Sequence, residues 1–286
     1  MDWNRAKDIL IAMFLIINIF LSYQLYTISR NQYNYINKEE LQSVVEYLNS
    51  KNVQVQAAIP DRVLIAPSIR VRYHEFESKK LESIFLNSGS SELEGTAVNF
   101  TIKDDNISIQ VNNRVNLTYK NRAITIRDHD IDEDKSLKNA YSFVNKLKLN
   151  NGNRYVIQKT VEKGYVRLIL GQQFNNIPVG GSQIEIYATE EGVSQATVSW
   201  FEWIKPDKKQ NITTPVIALL KAYEDKAEQD VIVIKQIRQG YYYSPETDNN
   251  AEDITVEGIV SPMWVILSDK NEIYINAYNE NIEKTR

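Results

Sequence analysis

Residues 98–126 read VNFTIKDDNISIQVNNRVNLTYKNRAITI. Apolar side chains fall at every second position. They occur at Val98, Phe100 and Ile102, then Ile107, Ile109 and Val111, then Val115, Leu117 and Tyr119, then Ile124 and Ile126. Asp104-Asp105-Asn106, Asn112-Asn113 and Asn121 separate the runs. Period-2 alternation broken by Asn and Asp turns predicts an antiparallel meander with one packed face and one wet face. Helices from elsewhere in the chain must cover the packed face.

Such helices are legible on both sides. Upstream, Asn37 stands as an N-cap with Glu40 three residues on, as in a capping box. Leu41, Val44, Val45 and Leu48 follow at helical spacing. Two short extended stretches broken by Pro67 lie between Arg62 and Tyr73, and Ser78 reads as the cap of a shorter helix carrying Leu81, Ile84 and Phe85. Downstream, the acidic stretch Asp128–Asp134 (DHDIDED) reads as a boundary, after which the pattern begins again. Leu137, Ala140, Tyr141, Val144 and Leu147 form an amphipathic helix, and Thr214-Pro215 starts another as N-cap and N1. Extended runs are expected at Tyr155–Val161, Tyr165–Leu170, Gln183–Ala188, Val193–Trp203, Val231–Ile237, Thr255–Val260, Trp264–Leu267 and Glu272–Ala277. Gly180-Gly181 reads as a turn, and Ser244–Asp253 as a polar loop. The fold class is therefore α+β: two tandem domains, 37–129 and 130–286, of antiparallel sheet with helices on one face.

The amino terminus is of another kind. Ile9–Ile28 spans twenty residues, 16 of them apolar, with no Lys, Arg, Asp or Glu. At ~1.5 Å per residue this is ~30 Å, one hydrocarbon core. No small-x-small cleavage pattern follows it, and Tyr23 and Tyr26 suit the aromatic belt of a membrane interface. The expected plan is a cytoplasmic 1–8, an uncleaved transmembrane helix 9–28, a juxtamembrane linker 29–36 and an extracellular remainder. Asn18 lies mid-span with Ser22 one turn on. Two readings stand: Asn18 is satisfied by its own backbone, or Asn18 and Ser22 contact the transmembrane helix of a partner.

The chain has 286 residues, a net charge of −4 and no cysteine. The charge gives no nucleic-acid footprint, and the missing thiols exclude disulfides, thiolate metal sites and cysteine nucleophiles. His74 and His129 are the only histidines, and both read as surface residues. No H-E-x-x-H, G-x-S-x-G or S-x-x-K motif occurs. Asp128, Asp130, Asp132 and Asp134 alternate like the start of a calcium loop, but Glu133 replaces the required glycine and Asn139 the bidentate glutamate. No catalytic residue, cofactor or metal site is expected. Two aromatic concentrations, Trp200 with Trp203 and Tyr241 with Tyr242, read either as core packing or as exposed partner-binding surfaces.

Several stretches resemble the YycI proteins of Firmicutes. They are Met1-Asp2-Trp3-Asn4 with the anchor and Tyr23-Gln24-Leu25, then Asn176–Gly181 with Gln183–Ile186 and Gly192-Val193, and finally Ser261–Val265. The likeness runs along nearly the whole chain and implies YycH/YycI-like, PepSY-like modules. It further implies a non-catalytic membrane regulator of the YycG (WalK) sensor histidine kinase, which controls cell-wall metabolism, acting with a YycH-like partner through transmembrane and outer contacts. The family offers no catalytic residues to carry over. The competing reading is a membrane-tethered extracellular binder or enzyme acting on wall polymer or peptide.

Overall fold

The computed structural model describes residues 3–30, 33–35, 37–60, 62–64, 66–86, 91–150, 154–224, 231–243 and 256–285, with some side chains at element ends outside the description. The predicted loop at 244–253 and residues 31, 32 and 36 of the predicted linker 29–36 lie outside it.

In chain order the elements are α1 (Trp3–Arg30), β1 (Tyr33–Tyr35), α2 (Lys38–Ser50), β2 (Val53–Val55), β3 (Arg62–Leu64), β4 (Pro67–Tyr73) and α3 (Ser78–Phe85). Then come β5 (Glu92–Gly95), β6 (Phe100–Lys103), β7 (Ile107–Asn112), β8 (Asn116–Asn121), α4 (Glu133–Lys146), β9 (Arg154–Glu162), β10 (Tyr165–Phe174) and β11 (Ile177–Thr189). The chain finishes with β12 (Gly192–Ser199), β13 (Phe201–Lys209), α5 (Pro215–Tyr223), β14 (Ile232–Tyr242), β15 (Glu257–Val260), β16 (Pro262–Ser268), β17 (Glu272–Asn276) and β18 (Ile282–Thr285). These form two compact units, each gathered from separated segments. One comprises Met1–Ala66, Lys209–Ile237 and Ile266–Arg286; the other comprises Pro67–Lys208 and Arg238–Val265. The predicted boundary near residue 130 falls inside the second unit.

The second unit holds a large, mostly antiparallel sheet in the order β5-β6-β7-β8-β12-β11-β10-β9. Three runs of the quoted stretch become β6, β7 and β8, with Ile102 opposite Ile109 and Ile109 opposite Tyr119. The fourth run, Ile124–Ile126, is not a strand. Asn121 Oδ1 accepts from Ala123 N (3.0 Å) and turns the chain away, while β12 takes the edge of β8 with Ala196 opposite Tyr119. The only parallel contact in this unit's described pairings is the end of β14, where Tyr241 lies opposite Val179. A three-stranded sheet, β13-β4-β15, completes the unit.

The inward residues of the meander meet α3 and α4. One core cluster joins Leu81, Ile102, Ile109, Leu117, Phe143, Val144, Leu168, Ile184, Val198 and Trp200. Phe85, Tyr119 and Phe143 form an aromatic trio with centroids 4.9–5.2 Å apart. Helices on one face of an antiparallel sheet is the expected class. The acidic stretch starts α4: Asp132 caps it, accepting from Lys135 N at 3.0 Å, and Glu133 and Asp134 fill the first turn against the helix dipole. Ser78 is the first residue of α3 rather than its cap; Glu77 holds that place and makes no side-chain cap bond.

In the first unit, β2 pairs parallel with the start of β14, Val53 opposite Ile232, and α2 packs on α5. Asn37 caps α2, accepting from Glu39 N (3.1 Å), and Thr214 caps α5 with Pro215 at its start, as predicted.

Gly180 and Gly181 are not a hairpin turn. They lie inside β11, where the register against β10 shifts between Gly171 and Gln172. Gly181 has φ +92°, and a Cβ there would stand 2.0 Å from the Tyr243 carbonyl oxygen. Gly181→Ala should therefore cost about 1–3 kcal/mol from the backbone conformation alone, with the clash added. Thermal unfolding of the full chain in detergent, followed by tryptophan fluorescence, checks this; an unchanged midpoint contradicts the assigned φ.

Candidate functional site

The most unusual surface is α1. Its described large apolar side chains from Leu10 to Tyr26 are all exposed, from 49% at Ile11 to 70% at Leu10 and Ile19. Among the described residues none packs against a face of this stretch, so its apolar side chains are exposed on every side. Among the described residues no helix is long and apolar enough to cross a membrane. The described side chains of the apolar run cover 10–26, about 25 Å of helix, and the side chains of Ile9, Thr27 and Ile28 lie outside the description. Asn18 donates from Nδ2 to the Phe14 carbonyl at 2.8 Å, one turn back. That bond uses one of its two amide hydrogens. Ser22 is exposed on the same face.

The predicted aromatic surfaces separate into buried and half-buried members. Trp200 is fully buried: it sits between β12 and β13, faces the core, and donates from Nε1 to the Asn150 carbonyl at 2.8 Å. Tyr241 is buried too, its hydroxyl donating to the Pro67 carbonyl at 2.7 Å. Of the two readings, core packing therefore holds for Trp200 and Tyr241, and neither is an exposed partner-binding surface. A buried indole or phenol needs a polar partner, and both find a backbone carbonyl. Trp203 and Tyr242 remain half-buried, with Lys205 Nζ 4.6 Å from the Trp203 ring centroid.

Beside Trp200 lies a charged cavity of about 550 Å³, lined among others by Arg72, His74, Glu75, Arg114 and Glu202. β4 delivers Arg72, the segment after it His74 and Glu75, the β7–β8 turn Arg114, and β13 Glu202. His74 N donates to the Trp200 carbonyl and Phe76 N to the Arg114 carbonyl, both at 2.7 Å, which pins the segment between β4 and α3. Glu75 stands between two guanidiniums, 3.2 Å from Arg72 and 3.6 Å from Arg114, and Arg72 Nε lies 3.8 Å from Glu202. Nε of both arginines is buried with no hydrogen-bond partner among the described residues. His74 is half-buried, not a surface residue; its ring meets the Phe76 edge at 5.0 Å. Burial pushes its pKa below the ordinary histidine value, and Lys80 adds to this against the opposing pull of Glu202. Ser78 also lines the cavity, but no hydrogen bond joins it to His74 among the described residues. Sequence reasoning singled out His74 alone here. The other members come from segments as far apart as residues 72 and 202 and share no motif.

His129 is exposed, with Nδ1 3.0 Å from the Arg127 carbonyl. Among the described residues no group of three or more His, Asp or Glu could hold a metal ion.

The YycI protein family model matches residues 31–278, and the chain belongs to that family. No curated protein matches it. Among solved structures the Bacillus megaterium YpeB C-terminal domain is similar, with 12% identity and a TM-score of 0.38 over 74% of this chain and 98% of that one.

The His74 environment sets a pH dependence. Its pKa is lower folded than unfolded, so between the two values the unfolded chain binds more protons and stability rises with pH. This contribution is complete above ~6.5, the unfolded value, and is lost as pH falls through the folded one. The thermal midpoint of the full chain should drop further between pH 7 and pH 5 than that of His74→Gln. Parallel curves would show that His74 is not held neutral.

Proposed function

We propose that this member of the YycI family is a non-catalytic, membrane-anchored regulator that binds a YycG/WalK-like sensor histidine kinase together with a YycH-like protein. The family match over residues 31–278 carries the reading, and the exposed apolar helix at 10–26 supports it. Residues 9–28 form the single transmembrane span, 1–8 are cytoplasmic, and the segments 37–129 and 130–286 lie outside. Such a helix has no stable place in water, and a bilayer removes its apolar surface from solvent.

A regulator of this kind acts by differential affinity. A partner that binds one kinase state better shifts the equilibrium by that difference and no more. About 1–3 kcal/mol suffices for a 5–150-fold change in output. We assign part of that contact to Asn18 and Ser22. The Phe14 carbonyl already takes one Asn18 hydrogen, so the gain from a second bond across helices is modest, about 1 kcal/mol. Trp203 and Tyr242 offer half-buried aromatic contacts outside the membrane.

Exchanging residues 9–28 for an unrelated apolar span of equal length should weaken or abolish regulation of a kinase-dependent reporter while the chain stays in the membrane. Asn18→Leu should produce a smaller part of that loss. Full regulation by the exchanged chain would remove α1 from the contact. Co-purification from gently solubilised membranes should recover a sensor histidine kinase and a second single-span protein. Recovery of neither, from membranes containing both, would favour a tethered binder or enzyme acting on wall polymer or peptide.

A further inference from the structure

The charged cavity beside Trp200 lies within the second unit, every lining residue falling in Pro67–Lys208. The turn between β7 and β8 delivers one of its arginines in an unusual backbone. Asn113 and Arg114 are both left-handed, with φ +53° and +61°. Glycine enters that region freely and asparagine readily, whereas arginine does so at an energetic cost. The conformation is nevertheless held. Arg114 N donates to the Val98 carbonyl at 2.8 Å, and the Arg114 carbonyl accepts from Phe76 N. The turn suits glycine, so arginine at 114 has to be accounted for by its side chain.

That side chain has donors to spare. Among the described residues Arg114 makes no side-chain hydrogen bond, only the 3.6 Å ion pair with Glu75. Arg72 gives one hydrogen bond, from Nη2 to Glu75 Oε1 at 3.2 Å. The Nε atoms of both are buried, so a ligand reaches the terminal nitrogens. The two side chains keep 41% and 39% of their surface in solvent, which leaves those nitrogens accessible.

The charges select the ligand. Arg72, Lys79, Lys80 and Arg114 are the cations of the cavity. Against these four stand three carboxylates: Glu75 shared by the arginines, Glu77 held by Lys80 Nζ at 2.6 Å, and Glu202 at 3.8 Å from Arg72. Burial keeps His74 neutral at pH 7, so it adds no charge. One positive charge is left over, and Lys79 has no ion pair among the described residues. A ligand with one negative charge balances the site, while a dianion meets the repulsion of Glu75 and Glu202. A planar carboxylate also matches guanidinium donors. Buried Phe76 and Phe100 give the wall an apolar part.

We propose that this cavity binds a small organic monocarboxylate, its carboxylate taken by the terminal nitrogens of Arg72 and Arg114 and its organic part laid against Phe76 and Phe100. The assignment goes beyond the regulatory reading and stands whether or not α1 contacts a kinase.

The test uses the full chain in detergent micelles with para-fluorobenzoate as probe, read by fluorine NMR against empty micelles. Saturable, millimolar binding is expected, and para-fluorobenzamide, which lacks the charge, should not bind. Arg114→Gly suits the left-handed turn, so it should keep the parent's circular dichroism while binding at least about fivefold more weakly. Arg72→Gln should weaken binding likewise and carries the test if the glycine variant does not fold. Glu75→Gln removes a carboxylate that competes for both arginines, so it should tighten binding at least about twofold. Competition by acetate and by acetyl-glycyl-phenylalanine separates a free small acid from the carboxyl end of a peptide as the natural source. Absent saturable binding, equal binding of the benzamide, undiminished binding by the arginine variants, or weaker binding by Glu75→Gln would each overturn the proposal. Stronger displacement by inorganic phosphate than by acetate would overturn the choice of a monocarboxylate.

Discussion

Trp200 is the point on which the second unit depends. The chain leaves the large sheet after Ser199 and enters the three-stranded sheet at Phe201, so one residue must serve both. Its ring fills the core under α4, its indole donates to the Asn150 carbonyl, and its own carbonyl accepts from His74 N. Each bond removes a buried polar group from the unpaired state, which would cost about 1–3 kcal/mol. The next residue continues the arrangement: Phe201 N donates to Gln172 Oε1 at 2.9 Å, and Gln172 Nε2 donates to the Phe201 carbonyl at 3.0 Å. A buried glutamine side chain thus stands in for a neighbouring strand where the ladder changes hands.

That anchoring explains the charged cavity. With His74 tied to Trp200 and Phe76 tied to Arg114, the segment before α3 cannot relax to separate Arg72, Glu75, Arg114 and Glu202. Glu75 between two guanidiniums offsets their mutual repulsion, though all these side chains keep partial contact with solvent, where screening limits such pairs. The cluster is a consequence of strand geometry rather than of any local pattern.

α1 shows the opposite relation between sequence and fold. Among the described residues nothing restrains its apolar side chains, and its properties follow from composition alone. Asn18 satisfies part of its own hydrogen-bonding need one turn back, a local solution open to any polar residue in an apolar helix.

The sequence by itself determined whatever depends on near neighbours. The alternation at 100–121 specified β6, β7 and β8 and their inward faces; Asn37 and Thr214 specified two helix starts; the apolar run 9–28 specified a hydrophobic helix, whose described large apolar side chains from Leu10 to Tyr26 are exposed. Period and capping are set within one or two turns of chain, so they are legible there. Tertiary structure alone decided which edges met. β12 took the place beside β8 that Ile124–Ile126 was expected to fill, Gly180 and Gly181 became a bulge against Tyr243, and Trp200 and Tyr241 went inward to backbone carbonyls 50 and 174 residues away. Strand edges are chemically alike, so the choice among them rests on which arrangement buries the apolar faces and pairs the most backbone groups at once, a condition on the whole chain that no short stretch carries.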